Sequence, residues 1–400
     1  MRYTFDTFTV DTDLRELRAG QAVVKVEPKV FDLLVFLLVQ GDRVVSKDEL
    51  VEAIWGGRAI SDAAVASAVS AARRAVGDDG RRQVLIRTVH GRGFRFMSAV
   101  DKDPGRARTE PPGSAVAPNE QEIRYCRSAD GTRIAYASAG TGPPLLKAAN
   151  WLSHLEFDWE SPVWRHVFRT LAADHHLIRF DARGNGLSDW NVDQFGLDRQ
   201  VEDLEAVADV VGLTRFPILA VSQGCATAAV YAARHPERVS GLILIGGYAR
   251  GWKKRDDTDG SVVRHAAVDM IRAAWGQDNP AVRQMMTSLY MPDAPAESQK
   301  WFSDLQRKTT SAENAARILE AHGDVDVRAV LPQVQAPTLV IHSRHDAGVP
   351  LEEGQELATG IPGARFLTLD TANHILPETD PAWRVCAEQI ARFLAQVPRA

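Results

Sequence analysis

Cysteine is scarce in this sequence: Cys126, Cys225 and Cys386 are the three in 400 residues. An odd count without close spacing excludes a disulfide scaffold and fits reduced thiols. No Cys/His group has the spacing of a metal site. Glycine-rich phosphate loops are lacking too, since Gly142 precedes prolines and Gly184 and Gly186 belong to a turn-like run. No metal and no cofactor is therefore expected. Long apolar runs are also missing. The longest, Val30 to Val39, carries Asp32 and falls short of the ~18 residues that span a bilayer. The start, Met1-Arg2-Tyr3-Thr4-Phe5-Asp6, lacks the apolar stretch of an export signal, so a cytoplasmic location without membrane contact is expected. With 45% apolar and 25% charged residues, the composition is that of a globular chain, neither disordered nor collagen-like. At roughly 150 residues per domain, two or three domains are expected.

The net charge of −5 hides an asymmetry. Residues 1–100 carry +2 and the remainder −7. Arg73, Arg74, Arg81, Arg82, Arg87, Arg92 and Arg95 crowd together, opposed locally by Asp78 and Asp79. Such a basic cluster suits phosphate. Residues 101–122, DKDPGRARTEPPGSAVAPNEQE, hold four prolines and no aromatic residue, which reads as a linker. The sequence thus predicts a domain over 1–100 and another over 123–400.

In the first domain, alternation over Tyr3–Val10 and Ala22–Val26 predicts short antiparallel strands. Pro28 opens a helix through Phe31, Leu34, Leu37 and Leu38 that Gly41 ends. Ser46 and Glu49 form a capping-box signature for a second helix through Leu50, Ile54 and Trp55. Ser61 and Asp62 open a third, whose Val65, Val69, Ala72 and Val76 make a buried stripe. Ala63, Ser67, Ser70 and Arg74 fall on its opposite face. Val84–Val89 and Gly93–Met97 read as strands around the glycine-bearing wing His90-Gly91-Arg92. Three helices followed by a basic hairpin predict a winged helix-turn-helix that binds double-stranded DNA. Its third helix would enter the major groove, with wing cations beside the backbone.

The run Glu27-Pro28-Lys29-Val30-Phe31-Asp32-Leu33-Leu34, then Val45-Ser46-Lys47-Asp48-Glu49-Leu50, Ile54-Trp55 and Ile86-Arg87-Thr88-Val89-His90-Gly91-Arg92-Gly93-Phe94-Arg95-Phe96 resembles the OmpR/PhoB-type winged-helix output domain. That family usually carries arginine where this third helix has Ser70 and Ala71. Base readout is then expected to rest on Arg73, Arg74, the hydroxyls of Ser67 and Ser70, and DNA shape. Arg87, Thr88, His90 and Arg92 complete the expected DNA contacts.

In the second domain, the apolar strand Phe216–Val221 leads into Ser222-Gln223-Gly224 and then a helix of small residues. This is a nucleophile elbow in which Ala220 replaces the first glycine of G-x-S-x-G. The strand Thr338–His342 is followed by Asp346. The strand Phe366–Leu369 is followed by His374, the one histidine after Asp346. The order Ser222, Asp346, His374 is similar to that of α/β hydrolases. It implies a catalytic triad in which His374 takes the Ser222 proton and Asp346 orients the imidazole.

Residues 123–400 as a whole resemble the α/β-hydrolase superfamily. The resemblance rests on Asp181-Ala182-Arg183-Gly184-Asn185-Gly186-Leu187-Ser188 and on His235-Pro236-Glu237-Arg238. Ser153-His154-Leu155-Glu156 with Trp159, and Asn373-His374-Ile375-Leu376 with Pro381-Ala382-Trp383, resemble a bacterial subset of hydrolases fused to DNA-binding or cyclase domains. The resemblance implies a mostly parallel sheet with a helical lid at about 252–320. It also implies an oxyanion hole from two backbone amides, that of Gln223 and one after the first central strand. Most relatives have His-Gly at the second site; here Ala148-Ala149-Asn150-Trp151 stands, so Trp151 is the candidate. Met270, Met285, Met286 and Met291, with Trp252, Trp275, Tyr290, Trp301 and Phe302, either form an adaptable apolar pocket or pack the lid. His154 reads as structural or as a substrate contact.

The expected α/β architecture is therefore an N-terminal winged helix joined to an α/β-hydrolase domain. The expected function is a one-component transcriptional regulator, homodimeric on DNA, whose hydrolase domain senses a small, partly hydrophobic acyl or ester-like ligand, with its hydrolysis left open. An enzyme whose winged helix only recruits it, and a pseudo-enzyme that only holds ligand, are the rival readings. A serine nucleophile argues against haloalkane dehalogenase and epoxide hydrolase chemistry. It leaves esterase, lactonase, thioesterase and carbon–carbon hydrolase open.

Overall fold

A computed structural model describes residues 2–12, 16–20, 22–41, 43–55, 62–79, 82–89, 92–98, 101–103, 121–255, 258–275, 277 and 280–397. The chain divides into two compact units, Met1–Pro111 and Pro112–Ala400.

In the first unit, β1 (Arg2–Phe5), β2 (Phe8–Asp11), β3 (Glu16–Ala19) and β4 (Ala22–Val24) form an antiparallel meander. Tyr3, Phe5, Val10 and Leu17 point inward from it. Helix α1 (Pro28–Gln40) begins with its proline in the first turn and ends at Gly41, whose φ of 61° suits a residue without Cβ. Helix α2 (Lys47–Trp55) is opened by a reciprocal cap. The Glu49 amide donates to Ser46 Oγ at 3.1 Å and the Ser46 amide to Glu49 Oε2 at 2.8 Å. The Ser46 amide, helped by Arg43, holds the Glu49 carboxyl down to about 2.

Helix α3 (Asp62–Ala75) buries Val65, Val69 and Ala72, and Val76 just beyond it. The Ser61 start lies outside the described residues. The wing strands are β5 (Ile86–Val89) and β6 (Gly93–Phe96). The strand expected from Val84 begins at Ile86 instead. The buried Asp78 carboxylate accepts from the amides of Val84, Leu85 and Ile86, at 3.0, 3.0 and 2.9 Å, which holds Val84 and Leu85 outside the ladder that starts with Ile86 opposite Phe96. Asp101–Asp103, expected within the linker, forms β7 against β1 in the register Arg2 to Asp103. The open edge of β1 offers backbone partners to whatever extended segment reaches it, whatever its composition.

The second unit is built on an eight-stranded sheet: β8 (Glu122–Arg127), β9 (Arg133–Ala139), β10 (Pro144–Lys147), β11 (His176–Phe180), β12 (Phe216–Val221), β13 (Val239–Ile245), β14 (Thr338–Ser343) and β15 (Arg365–Leu369). Their order is β15-β14-β13-β12-β10-β11-β9-β8, and β9 runs against both its neighbours. Around the sheet lie α4 (Leu155–Trp159), α5 (Arg165–Asp174), α6 (Leu197–Val210), α7 (Gly224–Arg234), α8 (Thr258–Ala274), α9 (Ala281–Tyr290), α10 (Ala296–Thr309), α11 (Ala312–Gly323), α12 (Leu351–Gly360) and α13 (Pro381–Leu394).

Both faces of the sheet are covered. Leu219 and Val221 of β12 join one apolar cluster, Ile218 and Ala220 the other. This explains why the central strands read as continuous apolar runs. Helices α8 to α11 lie between β13 and β14, the position expected of the lid. A largely parallel sheet brings the C-terminal ends of its strands to one edge, and the loops there face one another.

Candidate active site

Ser222 follows β12 directly and adopts φ 54°, a left-handed conformation that a serine rarely takes. Its amide donates to Ile245 O at 2.9 Å, and its carbonyl accepts from the Cys225 amide at 3.0 Å, which closes the turn into α7. A side chain at Gly224 would place Cβ 2.5 Å from Ala149 O, so only glycine fits two residues past the serine. Ala220, two before it, is fully buried.

Asp346 lies in the loop after β14 and His374 in the loop after β15. Their side chains meet, with His374 Nδ1 2.6 Å from Asp346 Oδ2. The other carboxylate oxygen accepts from the Gly348 and Val349 amides at 2.8 and 2.9 Å, so the aspartate cannot swing away. His374 is fixed through its own amide, which donates to Tyr290 O at 2.9 Å. Gly246, at φ 58°, passes so close that a Cβ would come within 2.9 Å of the imidazole. His374 Nε2 is buried without a hydrogen-bond partner, and the ring lines the same cavity as Ser222. An imidazole held by a carboxylate at Nδ1, with its second nitrogen unpartnered in a cavity that Ser222 also lines, suits general-base work.

The Gln223 and Trp151 amides, expected as oxyanion donors, belong to residues on the wall of this cavity. Neither takes an acceptor among the described hydrogen bonds. The glycine-free loop carrying Trp151 is braced from below. Lys147 Nζ donates to Ala148 O at 3.2 Å and to Asn150 Oδ1, and Asn150 Nδ2 donates to Leu152 O at 3.4 Å. Burial, reinforced by Arg179, pulls Lys147 down to about 8. The Trp151 ring stacks on Trp275 at 5.8 Å. This brace and stack hold the loop without the usual His-Gly pair; no sequence motif signalled them.

The cavity is further lined by Asn150, Tyr248, Trp252, Arg255, Arg264 and Tyr290. None of the four lid methionines lines it. Met286 and Met291 are buried in the core, and Met270 is exposed. The packing reading of the methionines therefore holds, because α8 to α11 need apolar filler between themselves. His154 does not line the cavity. Its ring accepts from the Phe157 amide at 3.3 Å and caps α4. Sequence reasoning missed Tyr248, Arg255 and Arg264, which come from separate turns of chain with no shared pattern.

In the first unit, Ser67, Ser70 and Arg74 are exposed on α3, and Arg87 and Arg92 on the wing. His90 lies outside the described residues. Arg73 corrects the expected base contacts, for it is only 6% exposed. Its Nε donates to Ile86 O and its Nη2 to Thr88 Oγ1, both at 2.9 Å. Four residues after Val69, Arg73 borders the buried stripe and clamps the wing to the helix. Thr88 is its partner and is half-buried.

Residues 158–381 match the family model of the alpha/beta hydrolase fold, and residues 20–96 match that of the transcriptional regulatory protein, C terminal. Among curated proteins, the AB hydrolase superfamily protein YisY of Bacillus subtilis is 24% identical over 253 residues, covering 62% of this chain and 91% of its own. A 2-hydroxy-6-oxononadienedioate/2-hydroxy-6-oxononatrienedioate hydrolase of Pseudomonas putida is 24% identical over 262 residues, covering 63% and 85%. Among solved structures, an esterase from Exiguobacterium antarcticum superposes with a TM-score of 0.58 at 22% identity, covering 68% of this chain and 99% of its own. That likeness shows the fold.

Proposed function

The chain belongs to the alpha/beta hydrolase fold family, and from that premise we propose that it is a one-component transcriptional regulator with a serine-hydrolase sensor. In this reading the winged helix binds promoter DNA as a homodimer, and the hydrolase domain binds and cleaves a small acyl or ester-like ligand. The observation that carries the catalytic half is the strained Ser222, which shares one cavity with an imidazole held by Asp346. Ser222 Oγ adds to the ligand's carbonyl carbon while its proton passes to His374 Nε2. The Gln223 and Trp151 amides receive the developing oxyanion. Collapse expels the alcohol, which leaves with that proton. Water then adds to the acyl-serine by the same route, releasing the acid and restoring Ser222.

Labelling of the full chain by a fluorophosphonate probe tests this half. Wild type is expected to label and Ser222→Ala to stay blank. Equal labelling of both would place the nucleophile elsewhere. The regulatory half rests on the match of residues 20–96 and the exposed cations of α3 and the wing. Ligand can shift operator binding only if it favours one DNA-binding state over another. Operator titration by fluorescence anisotropy, with and without a bound ligand, decides. Identical curves would leave the rival reading standing, an enzyme that its winged helix merely recruits.

A further inference from the structure

The cavity beside Ser222 holds more positive charge than its surroundings balance. Arg255 and Arg264 stand on its wall, and the carboxylate nearest Arg255, the buried Glu353, is shared with Arg250. Arg250 takes most of it: its amide donates to Glu353 at 2.9 Å, its Nε at 3.2 Å, and its Nη2 sits 3.0 Å away. Arg255 reaches the same carboxylate only at 3.7 Å and lies over the Tyr248 ring at 5.4 Å. Its Nε is spent on Arg250 O at 3.0 Å. Arg264 has no carboxylate within ion-pair range among the described residues. It donates to Gly348 O and lies beside the Tyr290 phenol. The nearest catalytic acid, Asp346, has both oxygens engaged by His374 and two backbone amides.

Two of these arginines, Arg255 and Arg264, line the cavity together with Ser222 and His374. Partly desolvated charges in folded proteins are normally paired. Desolvation pulls Arg255 below its ordinary value, as an incompletely compensated cation requires. Guanidinium forks match carboxylates in a bidentate geometry that ammonium groups cannot offer. The aromatic wall of Trp151, Trp252 and Tyr290 excludes water and strengthens such a pairing.

We propose that Arg264, seconded by Arg255, forms an anion subsite, so that the substrate carries a carboxylate in addition to the carbonyl attacked by Ser222. This rests on the hydrolase reading above and narrows it from acyl compounds in general to monoesters or lactones of dicarboxylic acids. Tyr248 and Tyr290 line the same cavity.

The test uses the full chain and the mono-4-nitrophenyl esters of adipic and suberic acid, with 4-nitrophenyl hexanoate as the neutral reference. At least one dicarboxylate monoester is expected to exceed the hexanoate in kcat/KM by about tenfold or more, a ratio worth ~1.4 kcal/mol. In Arg264→Gln that ratio should fall at least about tenfold, mainly through KM, and Arg264→Lys should fall between. A second readout is independent of turnover: calorimetric binding of the free adipate and suberate dianions to Ser222→Ala protein, with and without Arg264→Gln. Dianion binding that Arg264→Gln weakens supports the subsite even if no ester is cleaved, which would sink only the catalytic reading. No preference for either monoester, or dianion binding indifferent to Arg264→Gln, overturns the subsite and leaves the catalytic reading intact. Inorganic phosphate binding more tightly than both dianions would overturn the carboxylate assignment.

Discussion

The two units use arginine in opposite ways. In the residue 112–400 unit several arginines hold carboxylates of the same unit. Arg183, with its side chain 1% exposed, pairs with Asp203 at 2.6 Å and Asp130 at 2.8 Å. Arg234, Arg238 and Arg328 each hold an aspartate. In the residue 1–111 unit, Arg74, Arg87 and Arg92 are exposed and have no ion pair among the described residues, while Arg73 is buried as a clamp. Among the described residues, the second unit's buried Arg183 is thus fully paired, whereas exposed arginines without a carboxylate gather on the first unit's proposed DNA face. In the two proposals, charge left unpaired is where each unit would meet an anion: phosphate at the wing, a substrate carboxylate at Arg264.

Changes at these arginines can break or sharpen the contrast. The largest effect is expected from Arg183→Met, which strands the buried Asp203. Urea unfolding followed by tryptophan fluorescence should show a loss of about 3–5 kcal/mol. Eight of the nine tryptophans follow residue 150, so the signal reports the second unit. A loss no larger than for an exposed pair such as Arg124–Glu122 would sink the structural reading of Arg183.

Arg73→Met comes next. By releasing Ile86 O and Thr88 it should destabilise the first unit by about 1–3 kcal/mol. Operator preference should survive in the molecules that remain folded. Unchanged thermal melting combined with relaxed base preference would restore Arg73 as a base reader.

Smaller still are Arg87→Gln and Arg92→Gln, which should weaken binding to all duplexes alike. Each should reduce the slope of log affinity against log salt by about 0.9, the counterion release of one phosphate contact. An unaltered slope would show that the wing cations do not touch the backbone.

A last effect, negligible at neutral pH, appears only in acid. Burial holds His322, on the cavity wall, at about 3, below its ordinary 6.5. The unfolded chain takes up this proton first, so His322 costs stability as pH drops from 6.5 toward 3. His322→Gln should flatten the fall of stability with acid by up to about 1.4 kcal/mol per pH unit in that window. Urea melts of both proteins between pH 4 and 7 would show it. Parallel curves would mean that His322 titrates normally.

Much of the fold was legible because its signals are local. The Ser46–Glu49 cap spans four residues, and the Val65, Val69, Ala72, Val76 stripe needs only helical spacing. The turn at Ser222 is announced by the small residues it requires. Other features depend on contacts between segments far apart in the chain. The burial of Arg73 depends on where Ile86 O and Thr88 come to rest. Strand β7 exists because β1 has an open edge. The lid methionines resolved toward packing because the neighbouring helices, not their own spacing, decide which side of a lid faces a cavity.

By itself, the order of residues determined the strand–turn–helix around Ser222, the helices of the first unit and the strand ends that carry Asp346 and His374. Those properties follow from backbone sterics and periodicity, which act over a few residues. Only the tertiary structure decided that Asp346 Oδ2 sits 2.6 Å from His374 Nδ1 and that a Lys147–Asn150 brace replaces a missing glycine. It alone placed Arg255 and Arg264 on the wall beside Ser222. Electrostatic balance is a sum over everything nearby in space, and neighbours in space cannot be counted along the chain.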